Sequence, residues 1–247
     1  MELSNAHDRI VQARVDFLIE QPFYGQLAVR LILIEADKWC PTMAVDGVRM
    51  YYNTNFVNSL SDSELKFVVA HEVMHCVYQH FLRLDNRDAR LWNCAADYVI
   101  NLELDDLKIG KMPKASSMPN WEQDRDFYNE MGVGPNDPGG LIDQQYRGMA
   151  SEEVYDLLVK DAEENGKHSN EKVKNWDIHL DPQSGSGEGE SGDGDDSGKN
   201  SPVKMTQEEL DVLRDELKKA VIDAAKAADE MTSGAGNIPG GVRSLIK

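Results

Sequence analysis

The sequence predicts an α+β fold, mainly helical, with a small antiparallel sheet beside one central helix. Three observations predict it. Apolar residues recur at helical spacing through most of the chain, a short β-prone stretch is broken by Asp46-Gly47, and the run from Leu65 to Val77 is apolar on most sides. With 247 residues and 40% hydrophobic content, the chain can bury the core of one moderate domain and still carry a tail.

From residue 7 to 38, Ile10, Val11, Val15, Leu18 and Ile19, then Leu27, Leu31 and Ile34, fall at helical spacing, and Pro22 interrupts them. Two helices are expected. Thr42 to Tyr52 places Asp46-Gly47 between two β-prone runs, the signal of a two-residue hairpin. Ser61 and Glu64 form a capping box, so a helix should start near residue 62 and run to about 82. Its apolar character places it in the middle of the domain, where polar side chains need partners. Asp88 can cap a further helix from about 89 to 105, with Leu91, Trp92, Ala95, Val99, Ile100 and Leu104 on its apolar side.

Residues 110 to 150 contain Pro113, Pro119, Pro135, Pro138 and Gly139-Gly140 without a sustained period, which predicts an irregular excursion that walls or covers a site. Ser151-Glu152-Glu153 starts a short helix through about residue 163. Residues 1–180 therefore form the main body. Residues 181–203 read as an acidic Gly/Ser-rich flexible linker, because such a composition cannot offset its ordering entropy. A calcium loop starting at Asp193 fails at its twelfth position, Lys204, where a glutamate is needed. In 204–247, Thr206 and Glu209 form a second capping box ahead of a helix with Leu210, Leu213, Leu217, Ala220, Ala224 and Met231 on one face. That helix should dock on the main body or on a protein partner.

The chain carries 26 basic and 44 acidic residues, a net charge of -18, which repels phosphate backbones and anionic lipid surfaces. Nucleic acid and membrane are excluded as expected partners. The N-terminus lacks the basic and apolar regions of a secretory signal, and the three cysteines, Cys40, Cys76 and Cys94, form no CxxC pair, so buried thiols and a cytoplasmic location are expected.

The chemistry resides in His71-Glu72-Val73-Met74-His75, an H-E-x-x-H sequence. On a helix, residues four apart share a face, so both imidazoles can reach one ion. Zinc accepts neutral imidazole, and three protein ligands leave a position for a water whose pKa falls to about 7. Glu72 is placed to take a proton from that water and deliver it to a leaving group. A third ligand is required. His80 lies nine residues beyond His71, on the opposite face of a helix turning about 100° per residue, so a structural role is expected for it. The following helix offers Asn93, Asp97 and Asn101 at i+4 spacing. Asp97 suits a third ligand, with Asn93 and Asn101 supporting it or replacing it. The bland alternative pairs Asp97 with Arg83 or Arg90. Asn93 and Asp97 also resemble the E-x-x-x-D of gluzincins, with Asn93 in place of the glutamate, an alignment that would move Asp97 behind the ligands.

Pro22-Phe23-Tyr24-Gly25, Asp46-Gly47 with Tyr52-Asn53, Leu65 to His75, Arg83, Trp92 to Asn101, and Ser151-Glu152-Glu153-Val154-Tyr155 together resemble a metallopeptidase-domain family of bacteria and phages, often found before a von Willebrand factor A-like domain. The resemblance runs from roughly residue 7 to 160, and more weakly through Gly236-Asn237-Ile238-Pro239. It implies a zincin-like fold and peptidase activity, with His71, Glu72, His75 and Asp97 carried over; it supplies no substrate. Because this sequence ends at Lys247, the A-like domain of longer members is expected to be absent.

The resulting expectation is a zinc metalloendopeptidase with one Zn2+ per chain and a peptide or protein substrate. The substrate would add to an edge strand of the hairpin. Tyr146 or Tyr128 would stabilise the oxyanion. The rival reading is a non-catalytic zinc-binding scaffold that recruits a partner through the C-terminal helix. A third reading, self-cleavage within residues 181 to 200, is motivated only by exposure of that segment.

Overall fold

Asn5 accepts a hydrogen bond from the Asp8 backbone N–H and so starts α1 (Ala6–Glu20), after which Pro22 opens α2 (Pro22–Ala28). The computed structural model describes residues 5–119, 121–123, 125–126, 133–165, 180–181, 186–187, 202–232 and 238–243. The two expected helices are present, but the second ends early. Residues Ile32–Glu35 form strand β1 instead of a continued helix. The period of Leu27, Leu31 and Ile34 fits a helix, yet this β-branched stretch pairs parallel with residues 49–52, and the tertiary pairing prevails over local spacing.

β2 (Met43–Val45) and β3 (Arg49–Tyr52) form the expected hairpin, giving a mixed sheet in the order β1-β3-β2 rather than a purely antiparallel one. The turn closes one residue later than the Asp46-Gly47 pair implies: the Asp46 N–H donates to the Arg49 carbonyl, with Gly47 at φ +89°. The Asp46 carboxylate fixes this turn by accepting from the backbone N–H groups of Val48 and Arg49, from the Arg49 guanidinium and from the Tyr51 hydroxyl.

After the short α3 (Thr54–Ser59), α4 (Asp62–Tyr78) begins at the predicted Ser61–Glu64 capping box. Packing against α1, α2 and β2 buries Leu65, Val69, Val73 and Met74. Such burial contributes about 1.5–3 kcal/mol per large aliphatic side chain, so the helix is held by the core rather than by its own propensity. It ends four residues before the predicted limit, because Gln79 adopts the left-handed conformation at φ 53° and a 3-10 turn, His80–Leu82, follows. α5 (Ala89–Leu107), capped by Asp88, lies against α4 on one side and α6 (Ser151–Asn165) on the other.

The excursion between α5 and α6 is tied to the start of α4. The Lys111 N–H donates to the Ser63 carbonyl, the Lys114 N–H donates to the Glu64 carboxylate, and the loop closes on itself through Gly139 to Pro113 and Ala115 to Asp137. At Gly110, φ is +63°, and an added Cβ would lie 2.5 Å from Phe67 N. Only glycine lets the chain turn so close to α4.

Helix α7 (Gln207–Thr232) packs on α2 and α4 through Leu210, Leu213, Leu217, Ala220 and Ala224, while Met231, expected on the same face, is 62% exposed. The turn α8 (Gly240–Arg243) follows it, and the Gly240 N–H donates to Glu103. Within the segment read as a linker, Asp181 pairs with Ser186 between the two-residue strands β4 (Leu180–Asp181) and β5 (Ser186–Gly187); residues 182–185 and 188–201 lie outside the described residues. Among the described residues no helix is long and apolar enough to cross a membrane.

Candidate metal centre

One turn of α4 separates His71 from His75, so both imidazoles leave the helix on the side facing α5. Midway along α5, Asp97 meets them. His75 Nε2 lies 2.9 Å from His71 Nε2, and the Asp97 carboxylate oxygen Oδ1 lies 3.5 Å from His71 Nε2 and 3.3 Å from His75 Nε2. Two bonds of about 2.0–2.1 Å at a tetrahedral angle set donor atoms roughly 3.3–3.4 Å apart. The two edges to Asp97 are close to that spacing, and the edge between the imidazoles, 2.9 Å, is shorter. The three residues form a buried group able to hold a metal, with donor atoms all within 4.8 Å of one another.

A second layer of hydrogen bonds decides which nitrogen each histidine presents. Asn101 Nδ2 donates to the Leu141 carbonyl at 2.9 Å, which orients the amide so that its Oδ1 faces His71 Nδ1, also at 2.9 Å. His71 therefore carries its proton on Nδ1 and presents the Nε2 lone pair to the cluster. His75 also has a hydrogen-bond neighbour on the side away from the cluster. Its Nδ1 lies 3.1 Å from His80 Nδ1, and His80 Nε2 lies 2.9 Å from the Ser151 hydroxyl. His80 is anchored in turn, since its carbonyl accepts from the Trp92 indole.

His80 is thus not on the far face of a continuous helix. The left-handed Gln79 turns the chain back and brings its ring beneath His75, a placement that angular reasoning over an uninterrupted helix misses. Arg83, considered above as a partner of Asp97, instead holds Glu152 through two contacts of 2.6 Å at the start of α6 and so fixes the neighbouring Ser151. No short-range sequence signal pairs Ser151 with His80, which are 71 positions apart.

Glu72 is 2% exposed and lines a cleft with His71, Asp97 and Asn101. Asn93 is buried one turn before Asp97 and does not line that cleft. Tyr146 packs against the Tyr98 ring at a centroid distance of 4.8 Å, in the cluster between α5 and α6 that holds Val154 and Leu158. That position gives it no place in the cleft lining. Tyr128 lies outside the described residues. The three cysteines are buried free thiols; burial, with Asp97 nearby, pushes the Cys94 thiol up to about 12, and burial, with Glu72 next, raises that of Cys76. Neither is a ready thiolate donor.

A search of curated proteins and of solved structures returns no match to the chain. One protein family does match, described as a "putative metallopeptidase domain", over residues 5–246. The match takes in the sheet, both helices of the metal-competent cluster, the excursion over the cleft and the C-terminal helix. A mainly helical α+β chain that buries two histidines and an aspartate at metal-binding distances accordingly belongs to this metallopeptidase-domain family.

Proposed function

We propose that the protein is a zinc-dependent peptidase in which His71, His75 and Asp97 hold the ion and Glu72 is the general base. One observation carries this reading: a donor triangle of two imidazoles and one carboxylate, with edges of 2.9, 3.3 and 3.5 Å, shares a cleft with the Glu72 carboxyl. Two neutral imidazoles and a carboxylate are a donor set suited to zinc, and the remaining position stays available for reaction. Zinc held there supplies a Lewis acid that makes water nucleophilic near neutral pH.

The protein groups do the rest. Asn101 holds His71 in the tautomer that offers Nε2, and His80 contacts Nδ1 of His75, leaving Nε2 toward the cluster. Glu72, adjacent in the cleft, accepts the proton of the attacking water and returns it to the departing amine. β2 is the outer strand of the three-stranded sheet, and Thr42 and Met43 line the cleft beside Glu72. Adding an extended peptide to that edge would require it to open, because Met43, Ala44 and Val45 are at most 4% exposed.

The test is digestion of a peptide library by zinc-reconstituted wild type beside Glu72→Gln. The reading expects cleavage by wild type and none by Glu72→Gln, with the same zinc content in both. Equal zinc content and no cleavage by either protein across the library would replace the peptidase with a non-catalytic zinc module.

A further inference from the structure

The cleft is chemically mixed. His71, Glu72, Asp97, Asn101 and Thr42 are its polar lining; the rest is apolar, with Phe56, Phe67, Met43, Met112, Met118 and Leu141. Its cavity volume is about 70 Å³, and among the described residues no lysine or arginine lines it. An apolar space beside a hydrolytic centre is costly to leave wet and favourable to fill with an apolar side chain.

Its walls have two origins. Phe56, Phe67 and Met43 come from α3, α4 and β2, whereas Met112, Met118 and Leu141 come from the excursion. The excursion is seated closely. A Cβ added at Gly139 would lie 2.8 Å from Met118 Cγ, and one added at Gly140 would lie 3.2 Å from Asn101 Nδ2 and 3.4 Å from Met112 Sδ. These two glycines let the loop backbone press the methionines against the cleft while Asn101 grips the Leu141 carbonyl.

Resting on the peptidase reading above, we infer that this apolar lining of the cleft is the specificity subsite, and that it selects peptides with a large apolar side chain, Leu, Met or Phe, next to the bond cut. Methionine walls adapt to shape, so the selection runs across that class rather than to one residue. Charged side chains are rejected because, among the described residues, the apolar lining offers nothing to pair with them. Acidic peptides are further disfavoured by the net charge of -18.

The test uses the full chain reconstituted with zinc and a set of capped peptides differing only at one residue, Leu, Met, Phe, Asp or Lys. Cleavage rates are measured for wild type, and affinities for Glu72→Gln. The Leu, Met and Phe peptides are expected to exceed the Asp and Lys peptides by roughly tenfold or more in kcat/KM and in affinity. Met118→Ala, which enlarges the space, should raise the Phe to Leu ratio, and Met112→Lys should favour Asp over Lys. Cleavage that ignores the varied residue, at every position tried, would overturn the subsite while leaving the peptidase standing. An apolar preference in binding without any cleavage would keep the subsite and remove the peptidase. Equal affinity for the apolar and charged peptides overturns the subsite whether or not cleavage occurs.

Discussion

The paired helices α4 and α5 and the excursion between α5 and α6 face each other across one cleft, yet they are built on different principles. The helices bury His71, Glu72, His75 and Asp97 on regular backbone, where i+4 spacing and core packing fix every donor. The excursion supplies Met112, Met118 and Leu141 from irregular backbone hydrogen-bonded to Ser63, Glu64 and Asn101. On the reading proposed above, the contrast is a division of labour in which chemistry would sit on rigid elements and selection on a tethered loop.

Breaking the helical side should have the largest effect. Asp97→Ala removes one of three donors, and zinc retained after dialysis, read by elemental analysis, should fall from about one per chain to near none. Glu72→Gln should keep its zinc and lose about a hundred- to ten-thousand-fold in kcat. If both variants lost zinc alike, Glu72 would be a structural member of the cluster and the division would fail. Asn101→Ala sharpens the comparison because Asn101 touches both sides, and the variant removes the amide that His71 Nδ1 and the Leu141 carbonyl share. Zinc affinity should weaken about 10- to 100-fold in a competition with a chelator.

On the loop side effects should be smaller. Gly110→Ala forces a Cβ to within 2.5 Å of the α4 backbone at a positive φ, and thermal unfolding should show a loss of about 1–3 kcal/mol. Peptide KM should rise more than zinc content falls. The smallest effect concerns Glu64. Burial pushes its carboxyl up, but hydrogen bonds from Ser61 and from the Lys114 N–H outweigh this and hold it below the usual carboxylate range. A depressed folded pKa gives stability that is present above the unfolded value, about 4.3, and lost as pH falls through the lower folded value. Wild type should therefore exceed Glu64→Gln in stability at neutral pH by about 1 kcal/mol, the scale of a helix cap, and the gap should close on acidification below about pH 4. A gap independent of pH would mean that the Glu64 charge does not hold the loop.

What the sequence made legible follows the same division. Ser61, Glu64 and Asp88 announce their helices through capping chemistry that is local, and the histidine spacing is a property of the helix itself. β1 was illegible because its strand character comes from pairing with residues 49–52, not from its own periodicity. His80 was misplaced by angular reasoning because nothing in Tyr78-Gln79-His80 marks a left-handed residue; no glycine stands there to announce the end of the helix. The Arg83–Glu152 and His80–Ser151 contacts join residues 69 and 71 positions apart, beyond the reach of any spacing rule. The methionine wall was illegible for the same reason, since only the folded loop brings it to the cleft.

The most direct test of the central claim is X-ray absorption at the zinc edge of the reconstituted protein. His71, His75 and Asp97 predict a shell of nitrogen and oxygen donors at about 2.0–2.2 Å, with two imidazoles and no sulfur. A sulfur donor at about 2.3 Å, or a third imidazole contributed by His80, would contradict it.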